Sequence, residues 1–213
     1  MPMRPIRGFS LVELSIVLLI VALLGASLLL PLAAQREQQH LNESRLALED
    51  IRHALLGHAV IYGFLPCPST VSDPANSSYG VAPTSCNSAP STEGRLPWKT
   101  LGVTETDGWG NYWRYRVDRN FAGAAITLST NFSADALSIL DSAGNIQTTT
   151  TERPLAIIYS AGQNSQPDGH NSNFEPSSGI YQNDDVSPDF DDQLIWLSRP
   201  QLYERLVAAG RLP

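Results

Sequence analysis

Polar and apolar positions divide the chain into unlike stretches. Residues 1–8 are short and polar and carry Arg4 and Arg7. From Phe9 to Ala34 the chain is almost wholly apolar, with a single charged residue, Glu13, near its start. A helix crosses a bilayer with about 20 apolar residues, so this run predicts a membrane-length helix. Both arginines stand on its N-terminal side, and the positive-inside rule leaves the leader in the cytoplasm and exports the rest. Pro31 removes a helical hydrogen bond late in the run. With Gly25 it predicts either a bend used in packing or a simple kink near the membrane surface.

Beyond Gln35 the pattern changes to a stripe. Leu41, Leu48, Ile51, Leu55, Ala59 and Tyr62 recur at spacings of three, four and seven, which predicts an amphipathic helix to about Tyr62. Glu37, Asn42, Glu43, Arg45, Glu49 and Arg52 fall mostly off that stripe. The helix therefore continues the first one as a spine whose second half packs on a head domain over 35–213. His40, His53 and His58 lack the i, i+4 spacing of a helical metal site. Gly63 ends the helix, and 69–97, rich in Ser, Pro, Asn and Gly, predicts a long surface loop. Strands are predicted at 112–117, 125–129, 155–159 and 193–197, with a turn over 141–145. A short helix is predicted over 198–210, with Ser198 as N-cap, Pro200 in the first turn and Gly210 past the end. A long helix, then strands, is the α+β pattern: a helix packed on an antiparallel sheet, closed by a short helix.

The formal net charge of -7 disfavours a general nucleic-acid surface, which needs clustered Lys and Arg. One local exception is a strand bearing Arg114, Arg116 and Arg119 with Trp113 and Tyr115. It reads as a basic aromatic patch or, more commonly, as one strand's solvent face and core face. The two cysteines, Cys67 and Cys86, are too few for a Cys-rich zinc site. In an exported head they can pair, and closing a loop of about 20 residues stabilises by roughly 3 kcal/mol in the chain-entropy model. No nucleophile elbow, Walker A loop, His-Glu-x-x-His or dinucleotide fingerprint occurs, so enzymatic readings have no support.

Glu13 is the informative residue. A carboxylate inside a membrane helix costs about 2.5–3.5 kcal/mol on insertion scales. A cleavable signal peptide does not account for the run, which exceeds the usual apolar core of about 7–15 residues. A cut after Ala34 would also set Leu32 where a small residue is required. If the chain is instead cut between Gly8 and Phe9, a new amine arises at Phe9 and Glu13 lies one helical turn from it. The carboxylate is then neutralised by the terminal amine of a neighbouring subunit, so the lone subunit is penalised in lipid and the assembled one is not.

The string Gly8-Phe9-Ser10-Leu11-Val12-Glu13, followed by the apolar run, closely resembles the cleavage and methylation motif of type IV pilins, type II secretion pseudopilins and competence pilins. The resemblance implies cutting after Gly8 by prepilin peptidase, N-methylation of Phe9, and a filament of like subunits with their helices in its core. It also implies a cytoplasmic ATPase and an inner-membrane assembly platform as partners. Two further stretches resemble the major pseudopilin of type II secretion. Asp107-Gly108-Trp109-Gly110-Asn111 matches its Asp-Pro-Trp-Gly-Asn segment, with Gly108 in place of proline. Tyr159-Ser160-Ala161-Gly162-Gln163-Asn164, with Asp191-Asp192 ahead of Ile195-Trp196, matches its calcium-binding C-terminal loop, although the loop here is longer. The resemblance makes calcium the candidate cofactor. Among Asp168, Asp184, Asp185, Asp189, Asp191 and Asp192, it favours Asp189, Asp191 and Asp192 as ligands. Two roles follow: a structural subunit, minor because the head is large and the loop at 69–97 is extra, or a binding module on the filament. The tip-most minor pseudopilin typically lacks the fifth-position glutamate, so Glu13 favours a subunit that packs beneath another.

Overall fold

The computed structural model describes residues 8–86, 92–173 and 179–213, with side chains except those of 26–33 and 173. The leader arginines Arg4 and Arg7, and the side chains of Pro31 and Leu32, lie outside the described residues. The chain divides into two compact units, Met1–Leu41 and Asn42–Pro213.

The first unit holds the beginning of helix α1 (Leu11–Tyr62). Ser10 starts the helix. Its Oγ accepts from the Glu13 amide at 3.1 Å and its carbonyl accepts from the Leu14 amide at 3.1 Å, the arrangement of an N-cap. Residues 8–25 are all exposed, with Phe9 at 82 % and Leu11 at 86 %. Among the described residues, no helix is long and apolar enough to cross a membrane.

In the second unit the amphipathic stripe is real. Ser44, Leu48, Ile51, Leu55 and Ala59 are buried and Leu41, at the end of the first unit, is half-buried. Tyr62 departs from the expected stripe and is exposed. It sits on the last turn, where Gly63 at φ +83° turns the chain, and its ring stacks on His58 instead, with centroids 4.5 Å apart. His58 is buried, and its Nδ1 lies 3.0 Å from the Phe64 carbonyl. Burial pushes its pKa down, which suits a packed, neutral histidine.

The head is an antiparallel sheet of four strands, with two shorter strands beside it. Strands β1 (Glu93–Arg95), β2 (Arg114–Val117), β4 (Pro154–Ser160) and β6 (Gln193–Ser198) pair in the order β1-β2-β4-β6. Strands β3 (Ser138–Leu140) and β5 (Ile180–Gln182) form a separate parallel pair. A four-residue helix α2 (Trp98–Leu101) precedes β2, and α3 (Arg199–Ala208) follows β6 directly. The α3 start is the predicted one: the Ser198 amide donates to Gln201 Oε1 at 3.0 Å, and Pro200 stands in the first turn.

Strand β4 is buried at all seven positions. Its Leu155, Ala156 and Ile158 join Leu48, Ile51, Leu55, Trp113, Tyr115, Val117, Leu202 and Leu206 in the main core. Its Ile157 and Tyr159 join Leu137, Ile139, Tyr181 and Leu194 in a second, smaller core. Burial on both faces explains why this strand reads as an unbroken apolar run rather than an alternation.

Two expectations are corrected. The segment 125–129 is not a strand. The Thr127 amide donates to Thr130 Oγ1 at 2.9 Å, and the Thr127 and Ser129 hydroxyls bond at 3.0 Å. Such local hydroxyl bonds offer the backbone an alternative to a ladder. The stretch 69–97 is not wholly a surface loop either. It contributes Tyr79, Cys86, β1 and Leu96 to the interior, and the Ser69 and Arg95 backbones exchange bonds of 2.8 and 3.1 Å. Residues 87–91 of that stretch are outside the described residues.

Cys67 and Cys86 form a disulfide across a sequence separation of 19, and both are buried in the main core. A Cys67→Ser, Cys86→Ser chain is therefore expected to lose about 3 kcal/mol of head stability. Melting of the buried tryptophan signal should then come about 6–12 °C lower. An unchanged midpoint would show that the bond adds nothing to the packed core.

Candidate functional site

Two groups of residues stand out, one at each end of the chain. The first is the N-terminal set. Gly8 precedes the helix, and a Cβ added there would meet nothing within 4 Å. Phe9 is exposed, Ser10 caps α1, and Glu13 lies in the first turn, where the helix dipole favours a carboxylate. Ser10 and Glu13 have the spacing of a capping box, a signal present in the sequence.

The second is a group of aspartates on the loops flanking β4 and β6. The carboxylate oxygens of Asp168, Asp191 and Asp192 lie within 4.8 Å of one another. Asp189, favoured from the sequence, is exposed on the Ser187–Phe190 turn and outside this group; Asp185 is exposed too, and Asp184 accepts from Gln182 Nε2 at 2.8 Å. Asp168 takes the third place. Its Oδ2 accepts from the Asp191 amide at 2.9 Å, and its own amide donates to Asp192 Oδ2 at 2.9 Å. These reciprocal bonds tie one loop to the other.

A second layer of polar groups fixes these carboxylates. The Asn164 amide donates to Asp191 Oδ2 at 2.8 Å. Asn171 Nδ2 donates to Asp192 Oδ2 at 2.9 Å, while its Oδ1 accepts from the Gln182 amide at 2.8 Å. Gly162 holds a φ of +58°, and a Cβ there would fall 2.3 Å from Asp191 Oδ1. Only glycine combines that backbone with that approach.

The resembling Asp107–Asn111 turn positions this loop. Asp107 Oδ1 accepts from the Trp109 and Asn111 amides at 2.9 and 2.8 Å, and its Oδ2 accepts from the Ser160 hydroxyl. Asn111 Nδ2 donates to the Gly162 carbonyl at 2.7 Å, and the Gly108 amide donates to Ser44 Oγ on α1 at 2.9 Å. Gly108 keeps the amide that a proline would lack, and that amide is used.

Asp192 is 2 % exposed. Burial pushes its pKa up to about 7, and the Asp168 and Asp191 charges push the same way. Asp191 is raised as well, chiefly by burial. The Oδ1 atoms of Asp191 and Asp192 are both buried without a hydrogen-bond partner among the described residues. Buried carboxylate oxygens left unpartnered beside a third carboxylate fit a hard cation, which takes six to eight oxygens in the case of calcium. Asp168, Asp191 and Asp192 would hold it, and the ion would neutralise their shared charge and lock the two loops together.

The basic aromatic patch weighed from the sequence does not form. Trp113 and Tyr115 are fully buried. Arg116 is buried against Glu93 and Asp135 at 3.6 and 3.8 Å, and Arg119 Nε bonds Asp135 at 3.2 Å.

Comparison with curated proteins and with solved structures finds no match. A family model does match residues 3–29, and its description is the prokaryotic N-terminal methylation motif. Gly8, Phe9, the Ser10 cap, Glu13 and the exposed apolar start of α1 all fall inside that span. The chain thus carries the prokaryotic N-terminal methylation motif, the hallmark of type IV pilin and pseudopilin precursors, which implies processing by prepilin peptidase and assembly with other pilin subunits.

Proposed function

We propose that the protein is a structural subunit, a minor one, of a type IV pilus or type II secretion filament. The observation that carries this reading is the methylation motif set on an exposed apolar helix. The precursor is cut between Gly8 and Phe9 and methylated at Phe9. Residues 9–34 hold it in the inner membrane with the N-terminus cytoplasmic and the head in the periplasm, and then pass into the filament core. The large head and the extra stretch at 69–97 support a minor subunit. The aspartate group and the Asp107–Asn111 turn support a pseudopilin-like head whose loops are set by calcium at Asp168, Asp191 and Asp192.

Glu13 separates assembly from processing. Because it is exposed in the first turn of α1, Glu13→Gln leaves the fold untouched and removes only the charge that pairs with a neighbour's terminal amine. The Glu13→Gln chain is expected to be cut normally and to be reduced about tenfold or more in the sheared filament fraction, a loss of about 1.4 kcal/mol or more in packing. Full incorporation of the variant would refute the pairing.

A further inference from the structure

The two edges of the four-stranded sheet are finished differently. At β1 the Arg95 and Ser69 backbones exchange bonds of 2.8 and 3.1 Å, and the strand carries Glu93 and Arg95. Charges and a covering segment are ordinary ways to close an edge. At the other edge β6 has no charged residue and no proline. It pairs with β4 alone, and among the described residues no other segment makes a backbone–backbone bond to Gln193–Trp196.

A cavity of 170 Å³ opens at that edge, lined by Arg45 and Leu48 of α1 and by Asp184, Asp185, Asp192 and Gln193. Leu194 and Ile195 line it as well. Leu194 belongs to the second core and Ile195 packs on the main one, so the cavity runs along the edge of the strand rather than over one face. Three aspartates against one arginine leave it acidic. Acidity alone describes many solvated loops, but this wall holds unmet polar atoms. Asp192 is 2 % exposed and its Oδ1 has no hydrogen-bond partner among the described residues. Gln193 has both Nε2 and Oε1 buried in the same condition. Buried polar atoms are seldom left unsatisfied. The unmet set is two acceptors and one donor beside an open strand edge.

We propose that the edge of β6 takes an extended segment of another protein as an added strand, with a lysine or arginine of that segment entering the cavity. Main-chain bonds along an open edge supply affinity, and a pocket for an alternate side chain supplies specificity. Asp192 Oδ1 and Gln193 Oε1 accept from the incoming cation, and Gln193 Nε2 donates to a carbonyl of the segment. The volume is below the about 300 Å³ at which small-ligand pockets begin, and suits one side chain. The net negative lining selects a basic one. This inference goes beyond the filament reading and does not depend on it.

The test is selection of a phage-displayed random peptide library on the full chain in detergent micelles, followed by titration of the best synthetic peptide. EDTA is present throughout, so that no ion shares Asp192. The selected sequences are expected to carry a Lys or Arg among β-branched residues, without proline, and to bind with a Kd of about 1 mM or tighter. Glutamine in place of that cation in the peptide should weaken binding about tenfold or more. So should Asp185→Asn and Gln193→Leu in the protein, whereas Glu204→Gln, exposed on α3, should not. Asp185 is exposed, and Gln193→Leu removes two unpartnered atoms, so both variants keep the fold. The buried Trp113 signal in near-UV circular dichroism reports this. Amide exchange over 193–197 should slow on binding. Of two peptide versions N-methylated at alternate residues, the one blocked on its pairing side should lose binding. Selection that enriches no basic sequence overturns the proposal. So does binding that both N-methylated versions keep, which assigns the cavity to a cation alone. Exchange over 193–197 that slows with protein concentration in the absence of peptide gives the edge to a second copy of the chain, and also overturns it.

Discussion

A Gly8→Val chain is expected to stay uncut, to keep residues 1–8, and to be missing from filaments. The structure makes this a clean experiment. Gly8 precedes the helix, and a side chain there would meet nothing within 4 Å, so valine costs the fold nothing. Any effect is then expected at the Gly8–Phe9 peptide bond, where the proposed cut falls. The uncut chain lacks the free amine at Phe9, so Glu13 has no partner in a neighbouring subunit and stays a charge in an apolar setting. Loss of cutting and loss of assembly should therefore appear together, with the head still folded and its disulfide closed. Mobility and intact mass of the membrane fraction check the first, and sheared filaments the second. Normal cutting of Gly8→Val would place the processing site elsewhere.

The second large effect concerns calcium and pH. The sign follows from Asp192, whose pKa in the folded head is raised by burial to about 7. The folded state therefore keeps a proton that the unfolded chain has released, across the window from about 4 to about 7. In the absence of a divalent cation, head stability should fall as pH rises through that window, by up to about 4 kcal/mol, and level off above it. Calcium requires ionised carboxylates, so its affinity should rise over the same window. At about 100 times its Kd it should add about 2.7 kcal/mol, raising the melting midpoint by about 5–10 °C. Asp192→Asn should flatten the metal-free pH dependence and abolish most of the calcium response. Gly162→Ala should lose the calcium response too, because its Cβ would collide with Asp191. A parent protein whose midpoint ignores calcium at pH 8 would refute the site.

The parts of the fold that were legible in the sequence are those where one physical pattern dominates. Leu48, Ile51, Leu55 and Ala59 keep helical spacing because one face of α1 is buried, and 155–159 is apolar throughout because β4 is buried on both faces. Strands β1, β3 and β5 were not legible. Each has three residues, and Glu93-Gly94-Arg95 has no apolar alternation at all; its place is set by its partner β2 and by the buried Glu93–Arg116 pair. The candidate cation site was legible in part. Asp191 and Asp192 could be placed by their position ahead of β6. Asp168 could not be preferred over Asp184, Asp185 or Asp189, because only the folded loops bring it beside the other two through the Asp191 and Asp192 bonds. Asp189, two residues from Asp191 in sequence, faces solvent because the Ser187–Phe190 turn carries it outward. Arg114 and Arg116 look alike in sequence. Across the ladder Arg114 faces Arg95 and stays half-buried, while Arg116 faces Glu93 and forms a buried ion pair.

The central claim is that this chain is processed as a pilin-type precursor, and the most direct measurement is the intact mass of the protein recovered from the membranes of its native host. The expected mass is that of residues Phe9–Pro213 plus one methyl group, less two hydrogens for the Cys67–Cys86 bond. A mass that begins near Gln35, or that retains Met1–Gly8, would contradict it.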